Sequence, residues 1–256
     1  MAEFIKAETI EHVAVVTLDN GPLNLIVPQV FEEIIDVFGR LGADEDVAVV
    51  VFTGAGDRAF SAGGDMRVAV ERTQAAQEAS GRLSGAGFDA IYGCAVPVIG
   101  AVNGYALGGG LGLAASCDIL IASERAVFGL PEIDVGMLGC FRHLSRLVPE
   151  LKARRMAYTG QRLTAHEVER YGGIEKVVPH EDLMPTTMQL AREIAKKSGT
   201  ALRLYKEALN RTELPDMGEA YRTQMEYTVK LAGYSDYKET KRAFLDKRGS
   251  ESSAAQ

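Results

Sequence analysis

The residues best suited to chemistry lie in three short stretches, two of them rich in glycine. Residues 58–66 (RAFSAGGDM) place small residues soon after a β-branched run, where a ligand can approach the main chain closely. Residues 103–114 (NGYALGGGLGLA) bring three successive glycines to the start of a predicted helix, whose free N–H groups favour negative charge. Both stretches predict main-chain contacts to an anion, either a bound phosphate or an oxyanion that forms during reaction.

The third stretch, residues 128–133 (FGLPEI), supplies a candidate acid or base. Glu132 stands among apolar residues, and an apolar environment raises the pKa of a carboxyl group toward a value useful for proton transfer. A solvated loop glutamate is the alternative interpretation of the same letters. The stretch alone does not decide between the two.

A nucleotide site is the competing interpretation of the second glycine-rich stretch. The spacing from Gly108 through Gly110 to Leu113 lacks the third glycine of the dinucleotide fingerprint, and no Walker lysine follows. A nucleotide-dependent oxidoreductase is therefore disfavoured, and a transient oxyanion is the anion that remains to be considered.

The elements that must position these stretches alternate between strand and helix. Val13–Leu18 and residues 47–52, 96–102 and 119–122 are β-branched runs that predict buried strands, and residues 30–41 show helical spacing. This alternation predicts an α/β domain. Amphipathic helices without strands follow, so we predict an α/β core over 1–195, a helical region over 196–248 and a disordered tail over 249–256.

Composition restricts the partners. With 28 basic and 35 acidic residues the net charge is −7, which argues against general nucleic-acid binding. No apolar run approaches the ~20 residues of a membrane span, and the N-terminus lacks a secretion-signal pattern, so a cytoplasmic location is predicted. The three cysteines are odd in number and widely spaced, which suggests neither a disulfide framework nor a metal site.

Taken together, in their order and spacing, the stretches resemble the crotonase (enoyl-CoA hydratase/isomerase) family over roughly residues 10–248. RAFSAGGDM resembles the family's first oxyanion segment, and VNGYALGGGLGLAASCDILIAS its second. FGLPEIDVG resembles the acid/base segment, while TGQRLTAHEVERYGGIEKVVP and the terminal AFLDKR also fit.

The resemblance implies a fold, an assembly and a substrate class. Its fold is a spiral of ββα units in two sheets, with C-terminal helices that mediate homotrimers or dimers of trimers. Its substrate is a coenzyme A thioester, with no prosthetic group and no metal.

The resemblance also implies roles for individual residues. The N–H groups of Gly64 and Gly109 would form an oxyanion hole for the thioester, and Glu132 would be the acid/base. The residues that it assigns to coenzyme A are Leu25, Arg58, Ala62 and Met66, with Phe244 and Lys247 from a neighbouring subunit.

One departure from the family concerns the reaction itself. Hydratases of this family carry two glutamates, and the first falls at Gly112 here. Losing one general acid/base typically costs ~10²–10⁴-fold in rate, so efficient simple hydration is not expected. We expect Gly112 instead to leave room for a bulky or cyclic acyl group, and the HLSRLVP turn resembles a branch of the family that handles steroid- or terpene-derived rings.

Other polar residues near these stretches are predicted to be structural. We expect His143 to make a structural hydrogen bond, Asp134 to face solvent and Asp65 to cap a helix or hold the oxyanion loop. Tyr92 and Cys94 are expected to pack into the core.

Three reactions are compatible with one glutamate beside an oxyanion hole. They are enoyl-CoA isomerisation, C–C bond hydrolysis of a cyclic or bulky β-keto acyl-CoA, and hydration with another group in place of the missing acid. A non-catalytic acyl-CoA binding protein is the alternative from a different functional class.

Overall fold

A six-stranded sheet forms the larger layer of the computed structural model, which describes residues 2–69 and 73–213 and, beyond them, residues 218–219, 221–222, 225–226, 229, 242 and 246. Its order is β1-β2-β3-β5-β7-β10; β1 is antiparallel to β2 and the other pairs are parallel. The strands are β1 Ile5–Ile10, β2 Val13–Leu18, β3 Val49–Gly54, β5 Val98–Val102, β7 Ile119–Ser123 and β10 Lys176–Val178.

A smaller sheet of four short strands lies beside it, in the order β4-β6-β8-β9. The first three of these strands are parallel and β9 is antiparallel to β8. The strands are β4 Ala59–Ser61, β6 Tyr105–Leu107, β8 Val127–Gly129 and β9 Arg162–Thr164.

The two sheets are linked by a repeated pattern. In three successive units, β3-β4, β5-β6 and β7-β8, the chain passes from the larger sheet to the smaller one and then into helical structure. This confirms the predicted α/β fold of ββα units. The helices are α1 Pro28–Ala43, α2 Met66–Ala69, α3 Gln74–Tyr92, α4 Gly109–Ala115, α5 Phe141–Leu147, α6 Glu150–Thr159, α7 Ala165–Arg170, α8 Leu183–Ala195 and α9 Gly199–Thr212, with 3-10 helices Pro131–Val135 and His180–Asp182.

The first helix shows why the sequence folds as it does. Pro28 occupies the start of α1, where its fixed φ suits the helix and its missing N–H has no partner to lose. The side chains that α1 buries recur at three- and four-residue spacing, so one face of the helix packs onto the core. They are Val30, Phe31, Ile34, Val37, Phe38 and Leu41.

The core lies on both faces of the larger sheet. On β3, Val50 and Phe52 belong to the main cluster, which also contains Phe60 and Phe128 of the smaller sheet, whereas Val49 and Val51 face α8. Burial of both faces explains the continuous apolar strand sequences.

The C-terminal part of the chain is described continuously as far as Glu213, directly after α9. Helix α8 ends at Ala195 and α9 begins at Gly199, near the predicted boundary at 195, but the division into 1–195, 196–248 and 249–256 stays a prediction. Among the described residues, no helix combines the length and apolar character needed to cross a bilayer.

Candidate functional site

The three predicted stretches meet around one cavity because they follow three neighbouring parallel strands. Gly64 follows β4, Gly109 follows β6 and Glu132 follows β8. Since β4, β6 and β8 are parallel and adjacent, their carboxyl ends lie at the same edge of the smaller sheet. The cavity there has a volume of about 990 Å³ and is lined by all three residues. It is large enough for a small-molecule ligand.

The first glycine stretch is held in place by the segment before α1. The amide of Ala62 donates to the carbonyl of Leu23 (2.9 Å), and Ile26 donates to the carbonyl of Gly63 (2.9 Å). The Ser61 hydroxyl donates to the carbonyl of Asn24 (2.7 Å). These bonds fix the loop and leave the amide of Gly64 without an acceptor among the described residues.

The second glycine stretch turns sharply before α4. Gly108 has a φ of +56°, which a residue with a side chain rarely adopts, and its amide donates to the carbonyl of Gly129 (3.0 Å). Gly109 is the first residue of α4, so no preceding helical turn supplies an acceptor for its amide, and no described residue accepts from it.

The two free amides belong to chain segments that are in contact. A Cβ atom built on Gly109 would lie 4.0 Å from the amide nitrogen of Gly64, and one built on Gly63 would lie 3.2 Å from the amide nitrogen of Gly109. Gly63 has a φ of +88°. The pairs Gly63–Gly64 and Gly108–Gly109 are therefore alike: the first glycine of each makes the turn, and the second has the free N–H group.

Glu132 extends its carboxyl group between two glycines. Cβ atoms built on Gly108 and Gly139 would lie 2.6 Å from Oε1 and 2.8 Å from Oε2, so side chains at these positions would displace the carboxyl group. The residue as a whole is half-buried, but Oε2 is shielded from solvent and has no hydrogen-bond partner among the described residues. Burial raises the pKa of Glu132 to about 7, so the group is poised for proton transfer at neutral pH.

The space beside Gly112, into which the second glutamate of a hydratase would extend, is filled by other side chains. This corrects the expectation that Gly112 leaves room for the acyl group. A Cβ atom on Gly112 would lie 2.6 Å from Cζ of Phe88 and 3.1 Å from Sγ of Cys140. Phe88 and Cys140 themselves line the cavity. The volume released by the glycine is thus occupied by an aromatic ring and a thiol of the protein.

His143 differs from its prediction. It is buried, and its Nδ1 makes no hydrogen bond with a described residue, so the expected structural hydrogen bond is not found at this atom. Its ring packs against Phe88 (4.7 Å between centroids) and Tyr221 (5.7 Å). Burial, together with Arg146 and Arg142, lowers the pKa of His143 to about 3, and the side chain is a neutral packing element.

Among the remaining residues with a predicted structural role, three are found as predicted and one is not. Asp65 accepts a hydrogen bond from the amide of Arg67 (2.9 Å) at the start of α2 and pairs with its guanidinium, as a capping residue should. Asp134 is exposed and Cys94 is buried, both as expected. Tyr92 is only half-buried, under the guanidinium of Arg146 (5.1 Å), which corrects its placement in the core.

The residues predicted to contact coenzyme A are only partly described. Leu25, Arg58, Ala62 and Met66 all line the same cavity as the two glycines and Glu132. Phe244 and Lys247 lie outside the described residues.

Sequence reasoning missed several residues of the cavity wall. Gly63 and Gly108 had a signal, since each directly precedes a predicted amide donor. The other residues lie on elements whose packing no local pattern reveals; they are Phe88, Gln77 and Tyr221.

Comparisons with known proteins identify the family. The family model described as enoyl-CoA hydratase/isomerase matches residues 8–252. The chain is 40% identical over 228 residues, 88% of each chain, to the (7aS)-7a-methyl-1,5-dioxo-2,3,5,6,7,7a-hexahydro-1H-indene-carboxyl-CoA hydrolase of Rhodococcus jostii. It is 36% identical over 240 residues, 92% of each chain, to the short-chain-enoyl-CoA hydratase of Clostridium acetobutylicum.

A solved structure shows the same fold. The crystal structure of an enoyl-CoA hydratase/isomerase from Xanthobacter autotrophicus Py2 has a TM-score of 0.88 and 29% sequence identity, covering 96% of this chain and 93% of that one. The family match spans nearly the whole chain, and the three stretches around the cavity are those that predicted it. The protein is a member of the enoyl-CoA hydratase/isomerase (crotonase) family and an acyl-CoA enzyme.

Proposed function

We propose that this enzyme hydrolyses a C–C bond of a cyclic β-keto acyl-CoA, with the thioester enolate as leaving group. The observation that carries the proposal is the Glu132 carboxyl, which has a shielded oxygen and a raised pKa and lies near two unpaired amides, with an aromatic ring and a thiol where a second glutamate would stand. Such a site can move one proton at a time and stabilise an enolate, but among the described residues no second carboxylate stands beside Gly112, where the other glutamate of a hydratase would lie.

In the proposal, the amides of Gly64 and Gly109 bind the thioester oxygen. Their lack of acceptors among the described residues and the contact between their segments support this role. Preorganised donors of this kind are most effective where charge grows in the transition state, and losing one typically costs ~2.7–4 kcal/mol.

Glu132 would serve as base and then as acid. As a carboxylate it takes a proton from water while the water oxygen attacks the β-ketone carbon. The tetrahedral alkoxide reforms its carbonyl and breaks the bond to the α-carbon, whose electron pair becomes the thioester enolate. Protonated Glu132 then returns the proton to the α-carbon, which leaves a carboxylic acid and an intact CoA thioester. One water is consumed, and the ring is opened.

The relatives support this choice of reaction over hydration. The Rhodococcus jostii relative is named a hydrolase, and its name describes a bicyclic acyl group with two ring ketones. The Clostridium acetobutylicum relative is named a hydratase, and it is less similar over the aligned residues. Phe88 and Cys140 in place of the second carboxylate point in the same direction.

The wall of the cavity would bind coenzyme A through Leu25, Ala62 and Met66. Arg58 is exposed and lines the cavity, where its guanidinium suits a phosphate. Phe244 and Lys247 of a neighbouring subunit are proposed to complete the phosphate site.

The assembly is proposed to be a homotrimer or a dimer of trimers. Large apolar side chains are exposed at four- and seven-residue spacing on two helices, so each helix presents an apolar stripe that supports an interface there. They are Leu151 and Tyr158 on α6 and Leu204, Tyr205 and Leu209 on α9. The cytoplasmic location stays a prediction.

Mass spectrometry of the reaction products tests the proposed reaction. Incubation with bicyclic and monocyclic β-keto acyl-CoA esters should give a product heavier by one water that still carries coenzyme A. Release of free coenzyme A thiol would instead indicate thioester hydrolysis. Crotonyl-CoA hydration at the rate of a two-glutamate hydratase, with no ring opening, would overturn the proposal.

A further inference from the structure

A second buried oxygen without a partner lies in the cavity wall, on α3. Gln77 is 5% exposed, and its Oε1 is shielded from solvent and has no hydrogen-bond partner among the described residues. Among the described side chains, only Gln77 and Glu132 combine such an oxygen with a place in the cavity lining. A buried amide oxygen that is left unpaired is unfavourable, so this one is suited to a bound partner.

The surrounding face of α3 is unusually polar for the wall of a hydrocarbon site. Gln77, Ser80 and Ser84 recur at three- and four-residue spacing and all line the cavity. The Ser84 hydroxyl donates to the main-chain carbonyl of Ser80 (2.7 Å). The Ser84 hydroxyl thus has a partner in its own helix, whereas the buried oxygen of Gln77 has none among the described residues.

We propose that Gln77 determines substrate specificity by hydrogen-bonding a carbonyl or hydroxyl oxygen of the acyl group, at a distance from the thioester. The proposal rests on the proposed function in that the acyl group occupies this cavity. The amide suits both kinds of oxygen, because Oε1 accepts from a hydroxyl, and rotation of the terminal amide puts the N–H₂ group in the place of Oε1, where it donates to a ketone.

The consequence is a preference for oxygenated rings. A plain hydrocarbon ring would leave the amide unpaired, and a site built for such a hydrogen bond discriminates against the ligand that lacks it. We expect the oxygenated acyl-CoA to bind about 10- to 100-fold more tightly than its hydrocarbon counterpart.

The test measures binding of CoA esters that the proposed reaction cannot cleave. Cyclohexane-carboxyl-CoA is compared with its 3-oxo, 4-oxo and 4-hydroxy derivatives by titration calorimetry, with wild type, Gln77→Met and Gln74→Met. None of these esters has a β-ketone, so the result is independent of C–C hydrolysis. Gln74 is an exposed glutamine of the same helix outside the cavity lining and provides the matched control.

Wild type and Gln74→Met should bind at least one oxygenated ester at least about 10-fold more tightly than cyclohexane-carboxyl-CoA. Gln77→Met should bind that oxygenated ester and cyclohexane-carboxyl-CoA with equal affinity. Gln77→Leu replaces Gln77→Met if thermal melting shows that the methionine variant does not fold. Equal binding of all four esters by wild type, or an unchanged preference in the folded Gln77 variant, would overturn the proposal. A missing ring-opening activity alongside the predicted preference would count against the proposed reaction alone.

Discussion

Replacing Gly63 by alanine should disable the proposed oxyanion hole without touching an acid or base. The φ of Gly63 is +88°, and an added methyl group would lie 2.6 Å from the carbonyl oxygen of Leu107 and 3.2 Å from the amide nitrogen of Gly109. Both neighbours are main-chain atoms, so the contact is relieved only if the main chain of one glycine stretch shifts, and such a shift moves the amide of Gly64 or that of Gly109.

The expected magnitude has two separable parts. The left-handed conformation costs a non-glycine residue ~1–2 kcal/mol of stability. Misplacing one oxyanion donor lowers kcat by about 10²–10³-fold. Gly172→Ala is the matched control, because Gly172 has a φ of +81° and open space where its methyl group would lie. It should share the loss of stability and keep the activity.

The assay is deuterium exchange at the α-carbon of a bound CoA thioester in D₂O, followed by NMR, with thermal melting alongside. Exchange reports enolate formation whatever the final product is. Gly63→Ala should exchange about 10²–10³-fold more slowly than wild type and Gly172→Ala at the wild-type rate. A folded Gly63→Ala protein with wild-type exchange would refute the reasoning.

Three further predictions concern the acid/base and its surroundings. Glu132→Gln should lower kcat by about 10²–10⁴-fold and leave the Kd for acyl-CoA unchanged. The rate of the wild-type enzyme should rise with pH through about 7, and the pH–rate profile of the variant should lack this inflection. The stability of the wild-type protein should fall with pH, whereas its rate rises. Between the ordinary pKa of a glutamate and about 7, Glu132 keeps its proton in the folded protein and loses it in the unfolded chain, so rising pH favours unfolding. Denaturant unfolding should therefore show Glu132→Gln gaining stability relative to wild type from pH 5 to pH 8, and a constant difference would contradict the raised pKa. Gly112→Glu should not create crotonyl-CoA hydration and should lower the Tm, because its side chain meets Phe88 and Cys140; a fast, stable variant in a spectrophotometric hydration assay would show that the space is free.

Much of the fold follows from the sequence because its signals are local. The run of residues 13–18 became β2 with the predicted bounds, and the helical spacing of residues 30–41 lies inside α1. The short strands β4, β6 and β8 were not predicted, since three residues are too few to establish a period and their pairing is set by distant partners.

Some features of the candidate site could likewise be predicted from the sequence, and others depend on tertiary packing. The spacing of Gly64, Gly109 and Glu132 in the chain carries the family resemblance, and three parallel strands then bring the residues to one sheet edge. The occupancy of the space beside Gly112 was wrongly predicted, because Phe88 comes from α3 and only tertiary packing places its ring there. The burial of Gln77 was missed for the same reason.

A crystal structure of the Glu132→Gln protein with a bound acyl-CoA tests the central claim most directly. We predict that the thioester oxygen lies about 2.7–3.1 Å from the amide nitrogens of both Gly64 and Gly109. A thioester oxygen held by other groups, with these two amides directed away from it, would contradict the account.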